Sequence, residues 1–266
     1  MAIMRHGLDV PTIGAFATPA TLAQLAQLAE SCGWDGVFVW DVSDGLDVWC
    51  ALEAIVSSTR HVRIGTMVLA LARHDPHDAA RRLAELDRRS GGRLVVGVGL
   101  GHRAADFAAL GLAEGRARAR RLDEALGQLD QHWRDALIGP SGGPAPLQRP
   151  RPPIWIAGGW PHRAPLERAA RWDGLALKSI DAIQRTWLSH EQFVAAVAYV
   201  RSWRTAAAPF DIIASGDTSG PRAAAVARLG ALQAAGATWW IEEGLGWSDV
   251  EFAGHIALGP PRATPA

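Results

Sequence analysis

Two cysteines and a single lysine in 266 residues are the first scarcities of this sequence. Cys32 and Cys50 fall in apolar helical patterns, which predicts reduced, buried thiols rather than a disulfide framework. Lys178 leaves arginine as every other strong base, a bias that reads as genome composition and not as phosphate recognition. An excess of one charge sign is also missing. The 27 basic groups face 27 acidic ones with no block of like charge, which excludes nucleic acid and anionic membrane as partners and points to a small or neutral ligand. The longest uncharged stretch, Val10 to Ala29, is broken by Pro11, Gly14 and Pro19 and falls short of the ~20 apolar residues a membrane span requires. Arg5, His6 and Asp9 interrupt any signal-peptide core, so a cytoplasmic location is expected.

The signatures of two hydrolase classes are absent as well. The nine histidines form no H-x-H or H-E-x-x-H, and no cysteine pair has ligand spacing, so no metal site is predicted. No G-x-S-x-G elbow is present to carry a serine nucleophile. With few acid–base groups left, a bound cofactor is expected to supply the reactivity.

What is present is a regular alternation. Eight short apolar runs, Arg5–Asp9, Gly36–Trp40, Val62–Val68, Leu94–Val98, Ile154–Ala157, Gly174–Leu177, Phe210–Ala214 and Thr238–Glu242, alternate with helical patterns. That order predicts βα units around a parallel sheet, and the length suits one (β/α)₈ barrel of ~250 residues. A single domain over residues 1–258 is expected, with a flexible tail over 259–266 rich in proline. Helix boundaries are written out: Thr18 and Pro19 open one helix and Gly33 follows its end, Asp75 and Pro76 open another before Gly91 and Gly92, and Ser189 with Gln192 forms a capping box. The gap between the fourth and fifth strands is about twice the others and predicts a long insertion: a loop at Gly101–Gly115, a helix striped by Leu122, Leu126, Leu129 and Trp133, and a proline-rich connector at Gly139–Pro153.

Catalytic groups of such a barrel lie at the carboxyl ends of its strands. That filter selects Asp41, the Thr66–Met67–Val68 segment, Gly99, Gly101 and His102, Gly158, Gly159 and Trp160, and the Glu242–Glu243 pair. Gly97-Val98-Gly99-Leu100-Gly101-His102 is not a dinucleotide fingerprint, because His102 stands where the third glycine belongs. Its glycines either admit a flat ligand or relieve a crowded rim. Gly158 and Gly159, between a strand and a helix, suit a phosphate held on backbone N–H groups, or else a tight turn. Asp41 must face the mouth or be hydrogen-bonded, since an unpaired carboxylate in the core is costly. The Glu242–Glu243 pair reads more weakly, as solvated rim carboxylates, and Trp160, Trp239 and Trp240 either line a pocket or fill the core.

Five segments together carry a resemblance: LAQLAESCGWDGVFVWD (Leu25–Asp41), HVRIGTMVLALARHDP (His61–Pro76), LAELDRRSGGRLVVGVGLG (Leu83–Gly101), PPIWIAGGWPHRAPLERAARWDG (Pro152–Gly174) and GATWWIEE (Gly236–Glu243). The chain resembles the bacterial luciferase-like flavin-dependent oxidoreductases, which include FMN-type monooxygenases and coenzyme F420-dependent enzymes. The resemblance implies a TIM barrel whose mouth holds reduced FMN, or alternatively F420. Thr66, Met67 and Val68, with a cis peptide at Met67–Val68, would then lie behind the ring, and Gly158, Gly159 and Trp160 would bind the phosphate. Gly99 and Gly101 would border the cofactor, with His102 and Asp41 as catalytic residues. It implies oxidation of a small organic substrate with dioxygen, with a separate flavin reductase as a partner and a homodimer as the assembly; the alternatives are hydride transfer with F420 and a non-catalytic flavin carrier. One departure follows Asp41, where many members have histidine and this chain has Val42.

Overall fold

Eight parallel strands close on themselves in chain order: β1 (Arg5–Val10), β2 (Gly36–Val39), β3 (Arg63–Thr66), β4 (Leu94–Val98), β5 (Ile154–Gly158), β6 (Gly174–Leu177), β7 (Asp211–Gly216) and β8 (Trp239–Glu243), with β8 pairing back onto β1. This arrangement is seen in a computed structural model that describes residues 3–101, 105–108, 110–112, 115–138, 145–178 and 187–262. Helices α1 (Pro19–Ser31), α2 (Val48–Ser58), α3 (Pro76–Arg89), α4 (Ala105–Ala108), α5 (Gly115–Ile138), α6 (Arg163–Ala169), α7 (His190–Trp203), α8 (Arg222–Ala234) and α9 (Asp249–Ala257) lie between and after the strands.

The local chemistry explains the boundaries. Thr18 Oγ1 accepts the Thr21 N–H at the start of α1, and Gly33, with φ of 82°, follows the α1 C-cap. Asp75 caps α3 ahead of Pro76, and the reciprocal Ser189–Gln192 box starts α7. A second box, Ser248 with Glu251, starts α9, a helix the sequence reading does not single out. The third strand stops at Thr66, two residues before its expected end; Met67–Val68 is a cis peptide, and Leu69 bridges to Val98.

Side chains alternate between two environments along each strand. Outward positions such as Leu8, Val37, Ile64, Val96, Ile156 and Leu175 join the helices in the large outer core. Inward positions form a second, aromatic cluster of Phe38, Val95, Trp155, Ile213, Trp239 and Ile241 that plugs the barrel. Phe38, Trp155 and Trp239 meet with centroids 5.3 to 5.8 Å apart, tilted or edge-on, which is the favourable geometry for aromatic pairs. The plug makes the lower barrel solid and leaves chemistry to the upper rim.

The insertion between β4 and β5 holds α4 and α5, and Leu122, Leu126, Leu129 and Trp133 are all buried as their spacing predicts. Asp87 of α3 anchors the described part of the connector by accepting from the N–H groups of Leu147 and Gln148 and from the Gln148 side chain. Arg222 reaches the carbonyls of Gly259 and Pro260, and Arg262 pairs with Asp35. One expectation needs correction. Cys50 is exposed and Cys32 half-buried; both are free.

Candidate active site

Above the aromatic plug, the inward-facing positions change from apolar to charged. Asp9 of β1, Lys178 just after β6 and Glu243 of β8 continue the inward faces of Gly7, Ala176 and Ile241 by two residues and meet at the floor of the mouth. Lys178 Nζ lies 2.6 Å from Asp9 Oδ2 and 3.4 Å from Glu243 Oε1. Trp40 Nε1 donates to the other Asp9 oxygen at 2.7 Å. Burial pushes the Asp9 carboxyl up to about 6, with Glu243 adding to the rise and Lys178 opposing it. Burial works against the Lys178 ammonium, yet the two carboxylates outweigh it and hold its pKa above the ordinary lysine value. The three groups form one hydrogen-bonded unit above the aromatic plug.

This cluster escapes the sequence reading. The first and sixth runs are the least patterned of the eight, and they supply Asp9 and Lys178. The one available signal was compositional: the single lysine among 27 strong bases lies just past a strand's carboxyl end. Glu242 and Glu243 are not solvated rim charges. Adjacent residues of a strand face opposite sides: Glu243 points into the barrel, whereas Glu242 points out, fully buried, and accepts from Thr218 N–H, Thr218 Oγ1 and Trp240 Nε1 at 2.6 to 2.9 Å.

The opposite wall of the mouth is apolar. Thr66 is buried and donates through Oγ1 to the Gly97 carbonyl at 2.7 Å, tying β3 to β4 beneath the Met67–Val68 peptide. Met67 belongs to the plug, and the half-buried Val68 and Ala157 pack on it from above. The neighbouring glycines answer to crowding by protein. A Cβ at Gly99 would come within 2.6 Å of Val68 Cγ2, and one at Gly101, where φ is 75°, within 2.5 Å of Phe107. His102 lies outside the described residues.

Beyond β5, the N–H groups of Gly159 and Trp160 have no acceptor among the described residues. The missing side chain of Gly159 faces only the Lys178 carbonyl, at 3.6 Å. The Gly158 carbonyl accepts from Lys178 N–H, and His162 N–H closes the turn onto the Gly159 carbonyl. The Trp160 indole does not line the mouth: it packs on Tyr199 of α7 at 6.0 Å, and Arg163 covers the other part of that cluster, 5.1 Å from the Tyr199 ring. Trp239 fills the plug, whereas Trp240 points outward beneath Arg228, where it lines a cavity with Phe193, Trp187 and Leu232 outside the barrel.

Asp41 at the end of β2 is the other buried carboxylate of the rim. It accepts from Ala70 N–H at 2.9 Å, from His74 Nε2 at 2.8 Å and from the Arg73 guanidinium, clamping the β3–α3 loop against β2. Burial raises its pKa, but His74, Arg73 and the Ala70 amide outweigh burial and hold the carboxyl below the ordinary aspartate value. Asp41→Asn keeps the shape and removes the charge, and is expected to cost about 2–4 kcal/mol at neutral pH. A depressed carboxylate contributes above its unfolded pKa of ~3.9 and loses that contribution as pH falls through the folded value. Denaturant unfolding of both proteins should therefore show a gap at pH 7 that closes toward pH 3; a gap independent of pH would remove the ionic clamp.

The residues present fit a planar, phosphorylated ligand better than a metal. Among the described residues, no group of three or more His, Cys, Asp and Glu side chains is placed to hold a metal ion. An apolar wall suits a flat ring, and two unpaired amides at a strand end suit a phosphate. No helix among the described residues is long and apolar enough to cross a membrane.

Comparison with known proteins places the chain in a group. A profile described as luciferase-like monooxygenase matches residues 2–181. A putative coenzyme F420-dependent oxidoreductase of Mycobacterium tuberculosis, Rv3520c, is 37% identical over 97 residues, 36% of this chain and 27% of that protein, so the match spans little more than a quarter of the relative. Among solved structures, monooxygenase RslO1 from Streptomyces bottropensis superposes with a TM-score of 0.74 at 22% identity, covering 96% of this chain and 97% of that one. The coenzyme F420-dependent tetrahydromethanopterin reductase from Methanopyrus kandleri superposes at 0.77 with 15% identity, covering 97% of each chain. At these identities the two superpositions establish the fold.

Proposed function

The chain belongs to the luciferase-like monooxygenase family, and from that premise we propose that its barrel mouth binds reduced FMN and oxidises a small organic substrate with dioxygen. The observation that carries this reading is the pairing, on one rim, of an apolar wall at Val68 and Ala157 with two amides, of Gly159 and Trp160, that have no acceptor among the described residues. Reduced FMN, when bound, would supply the two electrons that activate dioxygen by reducing it. The protein's own contributions are binding and order. Gly159 and Trp160 hold the phosphate by N–H donation, next to the Gly158 turn. Thr66 fixes the backbone behind the ring, and Met67 and Val68 form the surface under it. Gly99 and Gly101 let that wall pack closely. Asp41 acts as a positioning residue through Arg73 and His74, and His102 is the proposed proton-transfer residue in place of the histidine that Val42 replaces. A separate reductase would deliver the reduced cofactor, and a homodimer is the proposed assembly.

A second reading, hydride transfer with F420, is favoured by the likeness to the mycobacterial protein described as a coenzyme F420-dependent oxidoreductase. Titration of the purified protein with FMN, riboflavin and F420, followed by fluorescence, separates the two. FMN is expected to bind at least tenfold more tightly than riboflavin, the difference made by charge-assisted bonds to phosphate worth about 1.5–3 kcal/mol. Oxygen uptake should follow when a reductase is added. Binding of F420 alone, with oxygen untouched, replaces the first reading by the second.

A further inference from the structure

We infer that Lys178 determines substrate specificity, donating a hydrogen bond from the mouth floor to the carbonyl oxygen of a neutral substrate and rejecting anionic ones. The inference rests on the mouth being the reactive site proposed above.

An ammonium carries three N–H donors. Lys178 directs two at Asp9 and Glu243, and the third has no partner among the described residues. Of the three side chains, Lys178 is the most exposed, at 25% against 1% for Asp9 and 5% for Glu243. A ligand that reached the cluster would therefore meet the lysine before either carboxylate. The partners set the aim of that donor, since the Asp9 carboxylate is itself held from the far side by Trp40.

Charge then decides what the donor accepts. Two carboxylates and one ammonium leave the cluster with one negative charge in excess when all are ionised. A substrate carboxylate or phosphate placed on Lys178 would lie within a few ångströms of both acids, whose combined repulsion offsets the attraction of the single ammonium. A carbonyl oxygen takes the same hydrogen bond without that cost. A lone lysine would be an anion site; this one, already over-compensated, is a neutral-acceptor site. The absence of any other lysine fits a requirement for a compact ammonium, because a guanidinium is too broad to share a 2.6 Å contact with Asp9 and still present one donor upward.

Being the only lysine, Lys178 gives a single side-chain signal when the protein is made with lysine labelled with nitrogen-15 at the side-chain amine, so heteronuclear NMR reads it in the unaltered protein. Acetone, a small neutral carbonyl compound, and acetate, an anion of similar shape, are the probes. Acetone is expected to shift the ammonium signal saturably, at concentrations at least tenfold below any effect of acetate. An equal or stronger response to acetate, or a signal unmoved by both, overturns the inference. The cofactor titration is scored separately: a lysine that responds in a protein binding neither FMN nor F420 removes the proposed function and leaves this assignment, whereas cofactor binding beside a silent lysine does the reverse.

Discussion

Replacing Lys178 with methionine is expected to destabilise the protein by about 3–5 kcal/mol at neutral pH, on the order of 10 °C in Tm, because it strands two buried carboxylates without their counterion. Methionine fills much of the stem's volume, so packing contributes little to the loss. The sign of the pH dependence tests the cause. In the wild type the ammonium's pKa is raised, so its contribution is intact below the unfolded lysine value of ~10.4 and lost only as pH rises through the folded one. In Lys178→Met, protonation of Asp9, already pushed up to about 6 beside the lysine, removes one of the two stranded charges. The penalty should therefore be largest at pH 8 and shrink toward pH 5, and adding Asp9→Asn should recover part of it. Urea unfolding at the two pH values gives the comparison; an identical penalty at both would mean that lost packing, and not stranded charge, is the cause.

Asp9 and Lys178 also show where sequence reading stops. The barrel was legible because short apolar runs and helix caps are local signals: Thr18 with Gly33, Asp75 with Gly91, and Ser189 mark boundaries within one or two residues of those observed. The rim at Thr66–Val68 was legible through resemblance, and the cis Met67–Val68 peptide stands where the resemblance puts it. The charged floor was not, since Asp9 and Lys178 are 169 residues apart and meet only when the sheet closes. Nor does a sequence say which of two adjacent glutamates faces inward; the β8 register with β1 decides that, pairing Glu243 with Asp9 and Glu242 with Leu8. The Asp41 clamp was half visible: a carboxylate ending an apolar strand must find partners, but Arg73 and His74 become those partners only through the turn after the cis peptide.

A larger effect is expected from a single methyl group at Gly97. A Cβ there would sit 2.0 Å from the Thr66 carbonyl oxygen, and that neighbour is backbone, which cannot rotate away. To admit Gly97→Ala, β3 and β4 must part by about 1 Å, roughly the shortfall from a normal carbon–oxygen contact. The Gly97 carbonyl receives both Thr66 Oγ1 at 2.7 Å and Leu69 N–H at 2.8 Å, the two bonds that carry the chain over the Met67–Val68 turn. Overpacking costs about 1–3 kcal/mol and each buried bond left unmade about 1–3 kcal/mol more, so a total near 5 kcal/mol is expected, with much of the protein unfolded at 37 °C. Gly127 of α5 is the control. Nothing lies within 4 Å of its missing side chain, and Gly127→Ala should stabilise by about 0.5–1 kcal/mol through helix propensity. Thermal unfolding of the two alanine variants should thus move in opposite directions from wild type. If the mouth binds the proposed ring, any folded Gly97→Ala should also lose affinity for FMN while Gly127→Ala keeps it, because only the first displaces the wall under Val68. A Gly97→Ala protein as stable as wild type would mean that the two strands yield freely at this crossing, and the rigid rim on which the proposed site depends would not exist.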